Sequence, residues 1–259
     1  MEIFCIDPGH GGIDPGATYG NRHESNDNLN LSLAVEKALI SQGHKVILTH
    51  RGKLHATQRL TLEQRTAIAR DNKADLFVSI HRNDFHDSAA HGIENWLRYN
   101  ASMQAATAVY ESVLKSSGMR NRGLKIGNYS VLFNLPCPGM LLEMGFIKNT
   151  NDNALFDKRL NQNAEAIARG MVAALGVPWS DTPVVPLWRV QTGAFSVRAN
   201  ADKLMADLKK DRFDAFIVEN TTKRLWRVQI GAFSVRANAE NLMVQIKKAG
   251  YDAFVVNPQ

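Results

Sequence analysis

Glu2-Ile-Phe-Cys-Ile-Asp-Pro-Gly-His-Gly-Gly12 is a short apolar run that breaks into a proline and three glycines around a histidine. A run of this length, closed by turn formers, predicts a buried strand over residues 2–6 with Asp7 and His10 just beyond its carboxyl end. The pattern recurs downstream. Strands are expected at residues 45–49, 76–80, 92–97 and 140–144, each a short apolar run bounded by polar or turn residues. Helix-period stretches lie at 29–42, 60–70, 101–117 and 155–175, and three of them stop at a glycine, Gly43, Gly118 or Gly176. Alternation of strand and helix predicts an α/β domain over residues 1–175: a mainly parallel sheet flanked by helices.

The last third of the chain is built on a repeat. Leu187-Trp-Arg-Val-Gln-Thr-Gly-Ala-Phe-Ser-Val-Arg-Ala-Asn-Ala201 returns 38 residues later as Leu225-Trp-Arg-Val-Gln-Ile-Gly-Ala-Phe-Ser-Val-Arg-Ala-Asn-Ala239, and 22 of 33 positions agree between 187–219 and 225–257. Each copy reads strand, glycine turn, helix, strand. One βαβ unit cannot cover its own sheet, so the two copies predict a single βαββαβ layer, a small ferredoxin-like α+β domain over residues 187–259. Residues 176–186 hold three prolines and read as a linker.

With 259 residues, 44% hydrophobic and 22% charged, the chain has the composition of a globular protein long enough for two cores. Two cysteines, Cys5 and Cys137, exclude a disulfide framework. No apolar run approaches the ~20 residues of a membrane span, so no membrane role is expected. No basic and apolar leader opens the sequence, which predicts release by cell lysis, a holin-type pore or another leaderless route. The net charge of +6 is concentrated: residues 184–259 carry 12 Lys+Arg against 7 Asp+Glu, a net of +5, and the remainder is nearly neutral. That excess suits an anionic partner or a solvated basic face.

All eight histidines fall between residues 10 and 91. In α/β domains ligands collect beyond the carboxyl ends of the strands. There the chain places His10 after the first strand, His81-Arg-Asn83 after the strand at 76–80, and Glu143 near the end of the strand at 140–144. Glu24 lies in the polar stretch 20–28, read as a loop over that edge. Two imidazoles and a carboxylate are the donor set of a catalytic zinc, which keeps a fourth position for water, and a further carboxylate serves as general base and acid. No His-Glu-x-x-His is present, and strand-capping histidines would explain the same positions.

These residues carry a resemblance. Asp7-Pro-Gly-His-Gly-Gly-Ile-Asp-Pro-Gly-Ala17, Glu24, Asn30-Leu31, Ser79-Ile-His-Arg-Asn83 and Leu141-Leu-Glu-Met-Gly-Phe-Ile-Lys-Asn149 resemble, in order, the zinc-dependent N-acetylmuramoyl-L-alanine amidases of autolysins, spore-wall hydrolases and phage endolysins. The resemblance implies one Zn²⁺ bound by His10, Glu24 and His81, with Glu143 as the catalytic carboxylate. It implies cleavage of the amide between N-acetylmuramic acid and the L-Ala of the stem peptide. Arg82 stands where the family more often has a small residue and is expected, with Asn30 and Asn83, to touch substrate; for the two asparagines, orienting the ligands and loop or helix-cap roles are the alternatives. The repeat is similar to the SPOR domain, a peptidoglycan-binding module, through Val190-Gln-Thr-Gly-Ala-Phe195 and Val228-Gln-Ile-Gly-Ala-Phe233. Trp188, Phe195, Trp226 and Phe233 are candidates for stacking on sugars, weighed against packing in the core. The base-stacking strand signature of RNA-binding βαββαβ modules is missing, so peptidoglycan rather than nucleic acid is the expected partner. A zinc peptidase acting within the stem peptide and a non-catalytic wall binder are the alternatives. His23 is read as a loop residue or a group beside the ligands; His44, His50, His55, His86 and His91 are read as surface or turn positions. Oligomeric state is left open.

Overall fold

The computed structural model describes residues 1–52, 58–98, 102–181, 187–220, 224–233 and 236–257. His55 and residues 182–186 of the expected linker lie outside the described residues. Two compact units are present, Met1–Val184 and Val185–Gln259.

The first unit runs β1 (Ile3–Pro8), β2 (Thr18–Tyr19), β3 (Arg22–His23), α1 (Glu24–Ser41), β4 (Lys45–Leu48), α2 (Leu62–Asp71), β5 (Leu76–Asn83), β6 (Ile93–Leu97), α3 (Met103–Ser117), β7 (Asn121–Ile126), a 3₁₀ turn (Ser130–Leu132), β8 (Gly139–Phe146), α4 (Thr150–Lys158) and α5 (Leu160–Ala174). Six strands form one sheet in the order β4-β1-β5-β8-β6-β7. β4, β1, β5 and β8 are mutually parallel, and β6 pairs antiparallel with β8 and parallel with β7. The α/β class with a mainly parallel sheet is therefore what the chain adopts.

Successive side chains of a strand point to opposite faces, and this alternation divides the sheet's work. Phe4, Ile6, Val78, Ile80, Met140, Leu142 and Met144 enter the main core with Leu31, Val35 and Leu39 of α1, Val109 and Val113 of α3, and Ile167 and Met171 of α5. On the other face Cys5, Phe77 and Leu141 make a smaller core with Ala69 of α2 and Val131 and Leu132 of the 3₁₀ turn. Asp7, Ser79, His81 and Glu143 share that second face: Asp7 is in register with Ser79, Ser79 with Leu141, and His81 with Glu143.

The sequence reading has no strand at β7, and three of the boundaries that differ from it change which element a residue belongs to. α1 begins at Glu24, not Leu29, so Glu24 is not in a loop but in the first turn of a helix. Its opening turns are polar, which hides them from apolar periodicity, but Glu24 and Asp27 suit the positive end of the helix dipole. The stretch read as one helix over 155–175 is two, α4 and α5, broken at Arg159, whose φ of −112° and ψ of 17° are not helical. Residues 176–181, read as linker, fold back on the first unit: Val177 and Trp179 pack against its core and the Ser180 N–H donates to Gln42 Oε1 at 2.8 Å.

The second unit runs β9 (Trp188–Phe195), α6 (Arg198–Lys210), β10 (Ala215–Asn220), β11 (Leu225–Phe233), α7 (Arg236–Lys248) and β12 (Phe254–Val256). Its sheet has the order β10-β11-β9-β12 with every pair antiparallel, the βαββαβ layer that the repeat predicts. Val190, Val228 and Ile230 of the sheet close on Ala201 and Leu208 of α6 and Ala239 and Ile246 of α7.

Candidate metal centre and active site

The loop after β1 brings in the first imidazole. His10 has a φ of 62°, a left-handed backbone that costs a residue with a side chain about 1–3 kcal/mol and needs support from its surroundings. Arg65 of α2 provides it, donating from Nη2 to the His10 carbonyl at 2.6 Å and from Nη1 to the Pro8 carbonyl at 2.7 Å. Arg65 is itself buried against Asp7, which also accepts from Thr49 Oγ1 and Ser79 Oγ at 2.6 and 2.7 Å. His50, read from the sequence as a surface position, is buried instead, with Nε2 at 2.9 Å from the Pro8 carbonyl.

Glu24, buried in the first turn of α1, lies between two imidazoles. Its Oε2 is 3.1 Å from His10 Nε2 and its Oε1 is 2.9 Å from His81 Nδ1. The rings of His10 and His81 meet edge to face with centroids 5.0 Å apart. One potential ligand atom from each of the three residues falls within 4.8 Å of the others. Burial pushes the Glu24 carboxyl up, but its bonds to His10 and His81 outweigh this and hold it well below the usual carboxylate range. Burial lowers His10, while Glu24 and then Asp14 raise it further, to about 9.

The residues fit a metal. Asp14 Oδ2 is 3.1 Å from His10 Nδ1, so the Nε2 that faces Glu24 is the nitrogen free to ligate. Two histidines and one carboxylate with a coordination position to spare match a catalytic zinc site. Glu143 supplies the second requirement. It pairs in register with His81, is 8% exposed, and its buried Oε2 has no hydrogen-bond partner. Burial is the main reason that its pKa is pushed up to about 7, with the charges of Glu24 and Glu94 adding to it. A carboxyl with a pKa near neutrality, beside side chains that could hold a metal, is suited to taking and returning a proton. A groove of about 400 Å³ opens over His10 and His81 between Arg59 and Leu62 on one side and Tyr129 and Val131 on the other.

The other residues singled out from the sequence fall elsewhere. Asn30 is exposed on α1, and the amide at the site is Asn28, which donates from Nδ2 to Glu24 Oε1 at 3.2 Å. Arg82 is no substrate contact: its side chain has no exposure and points away from the groove into α1 and α4. Asn83 donates from Nδ2 to Glu94 Oε1 at 2.7 Å. Asp14 and Asn28, missed from sequence, are each four residues from a candidate ligand, His10 and Glu24; only the structure brings Arg65 to the same loop.

In the second unit, Trp188, Phe195, Trp226 and Phe233 are half-buried and packed against the core, and Arg198 and Arg236 lie over the rings of Trp226 and Trp188 at 4.6 and 5.0 Å. The opposite face of the sheet is the open one: Phe216 pairs with Gln229, Val218 with Arg227, and Phe254 with Gln191, and Phe216 and Phe254 are 40% and 49% exposed.

Comparison with known proteins agrees with this layout. Residues 4–173 match the N-acetylmuramoyl-L-alanine amidase family, and residues 186–257 match the SPOR domain. The chain is 35% identical over 225 residues to the N-acetylmuramoyl-L-alanine amidase CwlM of Bacillus licheniformis, covering 84% of this chain and 85% of that one. It is 33% identical over 226 residues to the sporulation-specific N-acetylmuramoyl-L-alanine amidase of Bacillus subtilis (strain 168), with 84% of each covered. Among solved structures, the catalytic domain of CwlV from Bacillus (Paenibacillus) polymyxa var. colistinus superposes with a TM-score of 0.65 at 33% identity, over 69% of this chain and all of that one. An N-acetylmuramoyl-L-alanine amidase from Clostridium difficile 630 superposes with a TM-score of 0.63 at 30% identity, over 68% and 97%. Fold and relatives together define a peptidoglycan amidase with a wall-binding module. The chain belongs to the N-acetylmuramoyl-L-alanine amidase family and carries a SPOR domain. No helix among the described residues is long and apolar enough to cross a membrane.

Proposed function

We propose that residues 1–175 hydrolyse the amide between the lactyl group of N-acetylmuramic acid and the L-Ala of the stem peptide, with one zinc held by His10, Glu24 and His81. The observation that carries this reading is the convergence of those three side chains next to Glu143, a buried carboxyl with an unpartnered oxygen. Bound there, zinc would supply an electrophile for the scissile carbonyl and bring the pKa of a water from ~15.7 toward ~7. Glu143 accepts a proton from the attacking water and returns it to the leaving amine of L-Ala, which its raised pKa favours. Asp14 orients His10 through Nδ1, and Asn28 holds Glu24. The SPOR domain, residues 187–259, keeps the enzyme on wall glycan and raises its local concentration there.

The test is release of free amino groups from purified peptidoglycan, with identification of the new N-terminal residue, after chelation and after zinc is restored. New N-terminal alanine that vanishes with chelation and returns with zinc supports both bond and metal. A terminus deeper in the stem peptide would make the protein a peptidase, and no release at full zinc occupancy would leave a wall binder.

A further inference from the structure

Arg82 follows the ligand His81 directly in β5, and its side chain has no solvent exposure. All three guanidinium nitrogens have partners. Nη1 donates to Asp27 Oδ2 at 2.5 Å, Nη2 to Asn153 Oδ1 at 2.6 Å, and Nε to the Gly145 carbonyl at 3.4 Å, while the planar group lies 4.3 Å over the ring of Phe156. The same Asp27 oxygen accepts from Arg22 Nε at 2.6 Å, and Arg22 reaches on to both oxygens of Asp157 at 3.0 and 2.7 Å. One carboxylate of α1 is thereby clamped between an arginine of β3 and an arginine of β5, and both arginines are anchored on α4.

The location of that clamp gives it a purpose. Asp27 is three residues after Glu24, so the two share one face of the first turn of α1. The Arg82 backbone N–H donates to Glu24 Oε1 at 3.1 Å. Arg82 therefore grips the ligand-bearing turn twice, by its main chain at Glu24 and by its side chain at Asp27, while the preceding residue carries the imidazole that Glu24 must meet. A buried ion pair contributes little to stability once desolvation is counted, because the charges give up water to form it. It does fix geometry.

We propose that Arg82 is a positioning residue for the metal centre, setting the first turn of α1 against the end of β5 so that the Glu24 carboxylate stands between His10 and His81. The proposal rests on the metal-centre reading above. It is tested by measuring the zinc dissociation constant of the full chain by competition with a chromophoric chelator, for the wild type, Arg82→Met and Arg82→Lys, beside thermal unfolding of each metal-free protein. Loss of a group that orients a metal ligand weakens affinity by about 10–100-fold. Arg82→Met is expected to fall in that range with its metal-free fold retained, and Arg82→Lys, which keeps the charge facing Asp27, to recover part of the loss. Zinc affinity within twofold of wild type in folded Arg82→Met overturns the proposal. Should that variant not fold, Asn153→Asp keeps the oxygen facing Arg82 and gives up the Asn153 Nδ2 bond to the Ile147 carbonyl, whereas Asn153→Ala removes both that bond and the outer anchor of the guanidinium: zinc binding severalfold weaker in Asn153→Ala than in Asn153→Asp supports the proposal, and equal binding overturns it. A wild-type chain that binds no zinc, or a Glu24→Ala chain that binds it as well as wild type, would instead overturn the metal-centre reading and this proposal with it.

Discussion

Glu94 and Glu143 face each other directly across the antiparallel pair of β6 and β8, yet their carboxyls are treated in opposite ways. Glu94 accepts from Asn83, Trp96, Arg122 and Lys125, and these donors outweigh its burial and hold its pKa low. Glu143 is left with an unpartnered oxygen and is pushed up to about 7. Environments that separate two neighbouring carboxyls in this way assign them different work: the ionised one ties β6 to its surroundings through Asn83, Arg122 and Lys125, and the other is available for proton transfer.

Glu143→Gln is therefore expected to keep zinc and fold while turnover on peptidoglycan falls by ~10²-fold or more, because the proton carrier is gone. Wild-type turnover in this variant would remove Glu143 from its role.

The same substitution has a thermodynamic signature in the metal-free protein. The folded pKa of Glu143 is raised from the usual 4.5 to about 7, so the stability that its neutral form contributes is complete below about 4.5 and is lost as pH rises through about 7. Gln cannot ionise and escapes that loss. Melting curves of metal-free Glu143→Gln and wild type should coincide near pH 4, draw apart between about pH 4.5 and 7 and stay apart above it, with the variant more stable; the reverse order would mean that Glu143 is solvated or paired.

Metal binding should be proton-linked. His10, raised to about 9, is protonated at neutral pH in the metal-free protein and must be neutral to ligate. Apparent zinc affinity is thus expected to climb about tenfold per pH unit toward pH 9, with close to one proton released per zinc at pH 7. Calorimetry in two buffers of different ionisation enthalpy measures the release, and none at all would show that His10 does not both hold a proton in the metal-free protein and give it up to the metal.

Two glycines separate the site from the fold. A Cβ at Gly9 would lie 2.3 Å from His81 Cε1, whereas one at Gly20 meets nothing within 4 Å and only its φ of 58° resists. Gly9→Ala should displace the His81 ring and weaken zinc binding by about 10-fold or more. Gly20→Ala should lower stability by ~1 kcal/mol with zinc affinity unchanged. Chelator competition and urea unfolding on both variants would decide it; equal zinc affinity in Gly9→Ala would show that His81 is held elsewhere.

In the second unit, Trp226→Ala should act on stability, by roughly 2 kcal/mol or more, because the indole packs against the core. Arg189→Glu with Arg227→Glu, on the open face, should leave melting unchanged and reduce sedimentation with purified wall, most at low salt where charge is least screened. Full wall binding by that double variant would move the contact surface off the open face.

The alternation of strand and helix, the repeat and the strand-end residues are local patterns, so the sequence by itself determined the α/β class, the βαββαβ layer and the positions of His10, His81 and Glu143. Hydrophobic periodicity reports which face of an element is buried, and it fails where the buried face is polar. That is why periodicity does not show the start of α1 and leaves Glu24 in a loop, and why nothing in it marks the buried Asn28, two positions and half a turn from the exposed Asn30. Tertiary structure alone decided what closes around those positions. Arg65 reaches the His10 loop from 55 residues downstream, and Arg82 meets Asn153 across 71. A buried arginine and an exposed one are the same letter, and only packing that removes water from the guanidinium makes Arg82 a clamp on α1 rather than a hand on the substrate.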